Sequence, residues 1–391
     1  MTIAGSKADA TAAPIRLGMV GGGQGAFIGA VHRIAARLDG HFDLVAGALS
    51  SDPERAKASA AELGLDPARS YSSFEEMAKA EALRADGIEA VSIVTPNHVH
   101  APAAKAFLKA GIHVICDKPM TLGVEDAQEL VDLVRETGRI FVLTHNYSGY
   151  PMIRQARAMI AAGEIGEIRL VQAEYPQDWL TERAELTGSK QAEWRTDPSR
   201  SGAGGAIGDI GTHAYHLAAF VTGMMPVRLL AQLTTFAEGR RLDDDVQVLL
   251  RYANGARGML WASQVAVGNE NALKLRVYGT RGGLEWGQEN PNQLWFTRFG
   301  EPKRLLTRNG SGAWDASRRV ARVPAGHPEG YLEGFATIYA EAAAAIRAAR
   351  IGAEVPADVL YPSVEDGLAG MRFIAAAVTS SRAGSVWTDL E

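Results

Sequence analysis

A lysine, an aspartate and a histidine carry the chemistry for which this sequence can be read. Lys118 closes the run Val114-Ile115-Cys116-Asp117-Lys118-Pro119, where an apolar stretch ends abruptly in an acid, an amine and a proline. Read as a strand, the run delivers one amine to the carboxyl edge of a sheet, and Pro119 forces a turn there. Open α/β sheets bind their ligands at that edge. Asp209 and His213 stand four residues apart in Gly204-Gly205-Ala206-Ile207-Gly208-Asp209-Ile210-Gly211-Thr212-His213, just ahead of an apolar helix. An i, i+4 spacing places carboxylate and imidazole on one helix face, where the acid could orient the ring. The glycines permit close backbone approach around the pair. An imidazole is a base near neutrality without much tuning, and an ammonium stabilises developing negative charge.

Alternating strands and helices must position these groups. Residues 15–20 form a short apolar run that meets Gly21-Gly22-Gly23-Gln24-Gly25-Ala26-Phe27-Ile28-Gly29, and Val31, Ile34, Ala35 and Leu38 then share one helix face. Strand, glycine turn and helix in that order are the context of a dinucleotide-binding fingerprint, in which glycines admit a pyrophosphate to the helix N-terminus. Gly21-x-Gly23-x-x-Ala26 fits one register, while Gly29 fits the helix-packing glycine only with three residues inserted. A second strand over 44–49 ends at Ser50, where an NAD site is expected to carry a ribose-binding acid. Asp52 reads instead as the cap of a helix starting at Pro53. Tyr71 opens a short third segment, and 74–85 reads as a helix. A strand over 87–94 ends in Thr95-Pro96-Asn97-His98-Val99-His100. Helices over 101–110 and 124–137 flank the Lys118 strand, and a strand over 140–143 ends at Thr144-His145-Asn146-Tyr147. This alternation means a doubly wound parallel sheet.

After Pro151 the rhythm changes. A helix over 152–162, a strand over 168–175 and a loop rich in tryptophan and charge over 177–200 precede the Asp209 segment. Antiparallel signals then dominate. Val246, Val248 and Leu250 share a face, Asn254-Gly255 is a hairpin turn, and 273–278 and 284–286 flank a second turn. The expected architecture is α/β: a doubly wound domain over 14–148, and an α/β domain with an open, largely antiparallel sheet over 149–361. Helices are expected over 333–347 and 364–380, the last, within 362–382, packing back on the first domain. Asp243-Asp244-Asp245 reads as a solvated loop and not a metal set, since no spaced His or Glu completes a shell.

The 391 residues, 47% hydrophobic and 22% charged, have room for two domains. A net charge of −5 argues against a nucleic-acid binder. Apolar runs break before membrane-spanning length, so no membrane partner is expected. The single cysteine, Cys116, excludes an internal disulfide and suits a reducing cytoplasm, where it reads as a small buried strand residue. The first 13 residues are small and polar and read as a disordered tail, not a signal peptide.

The glycine loop followed by His32, Thr95-Pro96-Asn97-x-x-His100, Asp117-Lys118-Pro119, Trp194-Arg195 and Asp209-x-x-x-His213 together resemble the Gfo/Idh/MocA oxidoreductases, which include glucose–fructose oxidoreductase and inositol dehydrogenases. The resemblance covers nearly the whole chain. It implies a Rossmann domain, an open-sheet partner domain, a homodimer or homotetramer with sheets packed together, and a nicotinamide cofactor. It also implies a sugar, glycoside or cyclitol substrate. Lys118 would be the active-site lysine, with Asp209 the acid and His213 the catalytic histidine. The implied cofactor set is Gly21, Gly23, Gln24, Ala26, Phe27, Ile28, Ser50, Thr95, Pro96, Asn97, His100, Asp117, Lys118, Asn146, Trp194 and Arg195. Tyr147, Tyr175 and Asp178 would join Lys118, Asp209 and His213 on the substrate. His327 could reach it too, or could serve helix entry. Four departures from the family's pattern stand out: Asp117 for a usual Glu, the inserted glycine loop, Ser50 for the ribose acid, and His216 where an acid often follows the histidine.

Oxidising an alcohol requires loss of the hydroxyl proton while hydride leaves carbon for the nicotinamide. His213 would take the proton, and Lys118 would stabilise the alkoxide. NAD is expected over NADP, which stays open, because no arginine directly follows Ser50. Tyr175, Gln177, Asp178 and Trp179 could form a sugar-binding wall or an aromatic strut. One of Arg183, Lys190 and Arg195 could pair with an anionic ring substituent. Two alternatives use the same residues: redox-neutral glycoside cleavage by transient oxidation and elimination, and a cofactor-binding sensor without catalysis.

Overall fold

The first half of the chain builds its sheet from short apolar runs. The computed structural model describes residues 13–390, so the segment read as a disordered tail lies, up to residue 12, outside the described residues. β1 (Ile15–Gly21) leads through the glycine loop into α1 (Phe27–Leu38), and β2 (Phe42–Ala48) into α2 (Pro53–Glu62). α3 (Phe74–Ala82), β3 (Ala90–Val94), α4 (His100–Lys109), β4 (His113–Cys116), α5 (Val124–Thr137) and β5 (Phe141–Leu143) follow. Asp52 caps α2 by accepting the Arg55 N–H at 2.9 Å, with Pro53 in the first turn. Gly138 ends α5 at φ 63°.

The strands lie in the order β2-β1-β3-β4-β5, and every neighbouring pair is parallel. The third segment expected at Tyr71 shrinks to one parallel bridge between Ser70 and Gly47. β3 and β4 are buried at every residue, as befits central parallel strands covered on both faces. The order reverses between β1 and β3, so Gly21 pairs with Val94 and the loops after both strands leave side by side. Ligands bind at this kind of switch point.

The second half opens with α6 (Pro151–Ala161) and β6 (Ile168–Pro176). Two short helices, α7 (Lys190–Arg195) and α8 (Pro198–Ser201), occupy the long loop, and a π turn over Ile207–Gly211 runs into α9 (Thr212–Thr222). The strands β7 (Pro226–Thr234), β8 (Asp245–Tyr252), β9 (Arg257–Ser263), β10 (Lys274–Gly279), β11 (Gly282–Gly287), β12 (Gln293–Arg298) and β13 (Arg304–Thr307) come next. The chain closes with α10 (Asp315–Arg318), α11 (Tyr331–Arg350), α12 (Val364–Arg382) and β14 (Thr388–Asp389). The nine-stranded sheet runs β13-β12-β11-β10-β6-β9-β8-β7-β14, with β6 and β9 its one parallel pair. Val171, Ala173, Val248, Leu260 and Leu275 bury its inner face, while Leu170, Leu249, Met259 and Trp295 leave the outer face partly apolar and exposed.

Two late helices complete the packing, and one of them joins the sheets. α11 lies on the parallel sheet beside α1, where Phe335, Ile338 and Ile346 pack with Ile15, Leu17 and Val31. α12 starts from a capping box between Ser363 and Asp366 and touches both α5 and β7. No helix among the described residues is long and apolar enough to cross a membrane.

Candidate active site

The carboxyl ends of β1, β3 and β4 open into a cavity of about 1180 Å³, bounded on its far side by β6, the α7 segment and the π turn. At the β1 end, Gly21 and Gly22 take φ of 76° and 71°. A Cβ on Gly21 would stand 2.8 Å from the Val94 carbonyl oxygen, and one on Gly29 would stand 2.4 Å from the Gly22 backbone. Gly29 is thus the helix-packing glycine, and the longer loop is accommodated by bringing Gly22 against it. Gly21, Gln24, Ala26, Phe27 and Ile28 line the cavity as expected. Gly23 does not: it turns toward Leu49 and Ser59, where a Cβ would sit 2.7 Å from both.

Ser50 lines the cavity beside Ser51, Arg55, Ser72, Ser73 and Glu75, the last three supplied by the α3 entry that the sequence did not flag. Thr95, Pro96, Asn97, Asp117, Asn146 and Trp194 also line it. Thr95 Oγ1 and Asn146 Nδ2 are buried with no hydrogen-bond partner. Left-handed glycines at a strand end, a helix start beyond them and two orphaned polar atoms fit a bound dinucleotide.

Lys118 is fixed by the turn after β4. Its peptide bond to Pro119 is cis. The Asp117 carboxylate accepts the Lys118 N–H at 3.1 Å and the Thr144 hydroxyl at 2.8 Å, tying this turn to the end of β5. His100, expected on the cofactor, is instead buried behind the wall. Its two ring nitrogens lie 2.8 Å from the Pro119 carbonyl oxygen and 2.9 Å from that of Thr95, so it bridges two turns.

Asp209 is held from the opposite side. The Asp243 carboxylate accepts the N–H groups of Gly205 at 2.7 Å and Ile207 at 2.8 Å, and its carbonyl accepts that of Ala206 at 2.9 Å. The Asp243–Asp245 run is therefore buried, not solvated: Asp244 takes the N–H groups of Phe236 and Ala237, and Asp245 the Trp261 indole. No His, Cys, Asp or Glu cluster among the described residues could hold a metal. Burial raises the Asp243 carboxyl to about 6 against the pull of its backbone hydrogen bonds.

Lys118 Nζ reaches Asp209 Oδ1 at 2.9 Å and also donates to the Asp209 carbonyl. Asp209 Oδ2 accepts from Gln264 Nε2 at 2.8 Å and pairs with Arg195 Nε at 3.2 Å. Burial works to raise the Asp209 carboxyl, but Lys118 and Arg195 outweigh it and hold the group well below the usual carboxylate range. The expected carboxylate–imidazole pairing is absent from this arrangement. The turn carrying Asp209 is π and not α, which breaks the i, i+4 superposition, and three better donors take both oxygens.

His213 lines the same end of the cavity. Its Nδ1 lies 3.4 Å from Nδ1 of His145, which in turn stacks on His216 at 4.2 Å. Burial, then the Lys118 ammonium, pushes the His213 imidazole well below its ordinary value against the opposing charge of Asp209, so the ring is neutral near pH 7. Tyr147 and Tyr175 pack edge-on to His213, and their hydroxyls bond each other. Tyr175 then donates to Asn271 at 2.7 Å, Gln177 donates to the same oxygen at 2.7 Å, and the Trp179 indole donates to Gln177 at 3.1 Å.

Two expected substrate residues stand elsewhere. Asp178 accepts the Gly268 N–H at 3.0 Å and pins a loop, and His327 is exposed on a loop held by the buried Arg308–Glu329 pair. Arg195 is committed to Asp209 and Arg183 lies by Glu185 at 3.8 Å, leaving Lys190 exposed at the rim. Gln264, Asn271, Tyr331 and Phe335 join the site without a local motif that announces them; only the tertiary fold brings them in.

The first segment, 15–147, matches the model of an oxidoreductase family with an NAD-binding Rossmann fold, and 153–285 matches the Gfo/Idh/MocA C-terminal domain. A crystal structure of an oxidoreductase from Sinorhizobium meliloti is 59% identical, with a TM-score of 0.87 over 96% of this chain and 99% of that one. An inositol dehydrogenase homologue from Azotobacter vinelandii, complexed with NADH and myo-inositol, is 38% identical with a TM-score of 0.91 over 97% and 98%. Levoglucosan dehydrogenase of Pseudarthrobacter phenanthrenivorans is 29% identical over 304 residues, 72% of this chain and 75% of its own. This chain belongs to the Gfo/Idh/MocA oxidoreductases, as an enzyme with an NAD-binding Rossmann fold.

Proposed function

We propose that the protein oxidises one ring hydroxyl of a neutral sugar, sugar derivative or cyclitol. The observation that carries this reading is the meeting of Lys118, Asp209 and His213 in the same cavity that the glycine loop lines. NAD bound in that cavity supplies the hydride acceptor. The chain's own residues handle the proton and the charge. His213, neutral at working pH, takes the hydroxyl proton, and the Lys118 ammonium stabilises the oxygen as negative charge develops. Asp209 keeps Lys118 aimed. Gly21, Gln24, Ala26, Phe27, Ile28, Ser50, Thr95, Pro96, Asn97, Asp117, Asn146 and Trp194 form the proposed cofactor wall, and Tyr147, Tyr175 and Asn271 the wall facing the ring.

Several donors and acceptors converge on one small volume, and each left unpaired would cost about 1–3 kcal/mol, which favours a polyhydroxylated ring over a simple alcohol. A neutral ring is favoured over a sugar acid because Asp209 already holds Arg195. The relatives that bind myo-inositol or act on levoglucosan support the same substrate class. One observation keeps redox-neutral glycoside cleavage in play: Trp179, 38% exposed at the rim, offers a face to a second ring. A panel of cyclitols, sugars and aryl glycosides, followed for NADH and for released aglycone, separates the two. Stoichiometric NADH without cleavage supports the dehydrogenase, aglycone without net NADH the glycosidase, and preference for short aliphatic alcohols rejects both.

The protein is further proposed to act in the cytoplasm as a homodimer or homotetramer. The exposed outer face of the nine-stranded sheet, with Leu249 and Met259 at its centre, suits burial against a second copy. Light scattering on wild type and Met259→Asp tests this, and a monomeric wild type rejects it.

A further inference from the structure

Both oxygens of Asp209 are taken, and His213 must be oriented by something else. Its one hydrogen-bonding neighbour through Nδ1 is another imidazole, His145, in the loop after β5. The rings meet edge to face at 83°, and His145 is clamped from behind by the stacked ring of His216, whose plane is 6° from parallel. Two nitrogens 3.4 Å apart share one proton, so one ring donates Nδ1–H and the other accepts. A base that meets the substrate through Nε2 must carry its proton on Nδ1, which requires an acceptor there.

We infer that His145 is the positioning residue of the proposed base: its Nδ1 accepts the His213 Nδ1–H, fixing the tautomer that leaves His213 Nε2 unprotonated toward the cavity. The inference rests on the reading of His213 as the base. His145 is suited to the task because it stays neutral. Burial comes first, and the neighbouring imidazoles of His216 and His213 and the ammonium of Lys118 add to it, so protonation of the acceptor is strongly disfavoured. The groups facing the pair are Lys118 after β4, Asp209 in the π turn, Tyr147 after β5, Tyr175 on β6 and His216 on α9. Behind His216 stand Asp366 of α12 and Arg154 and Arg157 of α6. His145 thus does for His213 what a buried carboxylate does in a serine-hydrolase triad, without adding a negative charge beside Lys118. When His213 is charged in turnover, the same Nδ1–H bond persists, so the ring need not reorient.

The test is nitrogen-15 histidine NMR on the NAD-loaded full-length protein, with the His213 signal assigned by its loss in His213→Gln. Wild type should show His213 as the Nδ1–H tautomer. His145→Phe keeps a ring for the stack but offers no acceptor; it should shift His213 toward Nε2–H and lower kcat on myo-inositol or levoglucosan by roughly 100-fold or more, with NADH affinity preserved. His145→Asn places an amide oxygen where Nδ1 stood and should restore both tautomer and most of the rate. His145→Asp should raise the acid limb of the kcat/KM profile, because a carboxylate stabilises the His213 cation. A His213 found as Nε2–H in wild type, or a tautomer unchanged in His145→Phe, overturns the inference. Should His145→Phe not fold, identical acid limbs in the Asn and Asp variants overturn it equally. If His213→Gln keeps turnover, the base reading fails instead, whatever the tautomer.

Discussion

The proposed base and the lysine divide the work between proton and charge, and their loss should show differently. His213→Ala and Lys118→Ala should each lower turnover by roughly two to four orders of magnitude, the range for removing a proton-transfer or charge-stabilising group. NADH binding, measured by calorimetry, should survive the histidine change, since the proposed role of His213 is proton transfer. A His213→Ala enzyme with near-normal turnover would reject the assignment. Beyond β2, Ser50 replaces the ribose acid, and the same pocket is lined by Glu75, which would repel a 2′-phosphate, and by Arg55, which would draw one. NAD should bind more tightly than NADP, because no arginine directly follows Ser50, and Glu75→Gln should narrow the gap. Calorimetric titration with both cofactors checks it, and tighter NADP binding in wild type overturns it.

At the scale of elements, the site depends on one short turn. The π turn that presents Asp209 has its leading N–H groups capped by a carboxylate on a neighbouring strand's entry, Asp243, and not by anything within its own helix. That carboxyl titrates near 6 in the folded protein, against about 3.9 in an unfolded chain. A raised folded value means its stabilising contribution is full below about pH 4 and is lost as pH rises through about 6. The difference is worth on the order of 3 kcal/mol. Asp243→Asn cannot titrate, so its deficit in melting temperature against wild type should be greatest near pH 4 and smallest above pH 7. Calorimetry at the two ends decides it; a gap that widens with pH would show that the sign is wrong. The neighbouring aspartates explain why the run resists reading from sequence. Three consecutive acids look solvated, yet each finds backbone or indole donors across the fold.

Two helices late in the chain tie the molecule together: α12 touches elements of both sheets, and α11, packed on the parallel sheet, reaches α6 of the second half through an ion pair. Glu341 of α11 pairs with Arg154 of α6 at 3.3 Å and with Arg319 at 2.7 Å, and Arg154 and Glu341 are both 2% exposed. Burial lowers the Arg154 guanidinium to about 10, partly offset by Glu341. Replacing Glu341 by Leu would leave that guanidinium buried without its counter-charge, at a cost of about 3–5 kcal/mol. The melting temperature should drop by several degrees, and a change within about 1 °C would show that the pair is dispensable. Arg154 also donates to the Ser148 and Leu360 carbonyls, so the loss should loosen the β5 exit, where His145 and Asn146 sit.

The alternation of apolar runs with helical periods was enough to determine a parallel sheet, its glycine turn and the lysine at its edge. Those features are local: a period of two or 3.6, a glycine that must take positive φ, a proline that stops a strand. The helices at Pro53 and at 124–137 were legible for the same reason, through a cap and a terminal glycine. Partner choice was not legible, because a carboxylate pairs with whichever donors the fold brings nearest. Asp209 took Lys118 from 91 residues away and Gln264 from 55, not the histidine four residues on. His213 met His145 across 68 residues, and Asp178 and His327 were drawn into loops of their own. Sequence determined which groups could do the chemistry; the way the helices and turns between the two sheets bring distant segments together decided which of them touch.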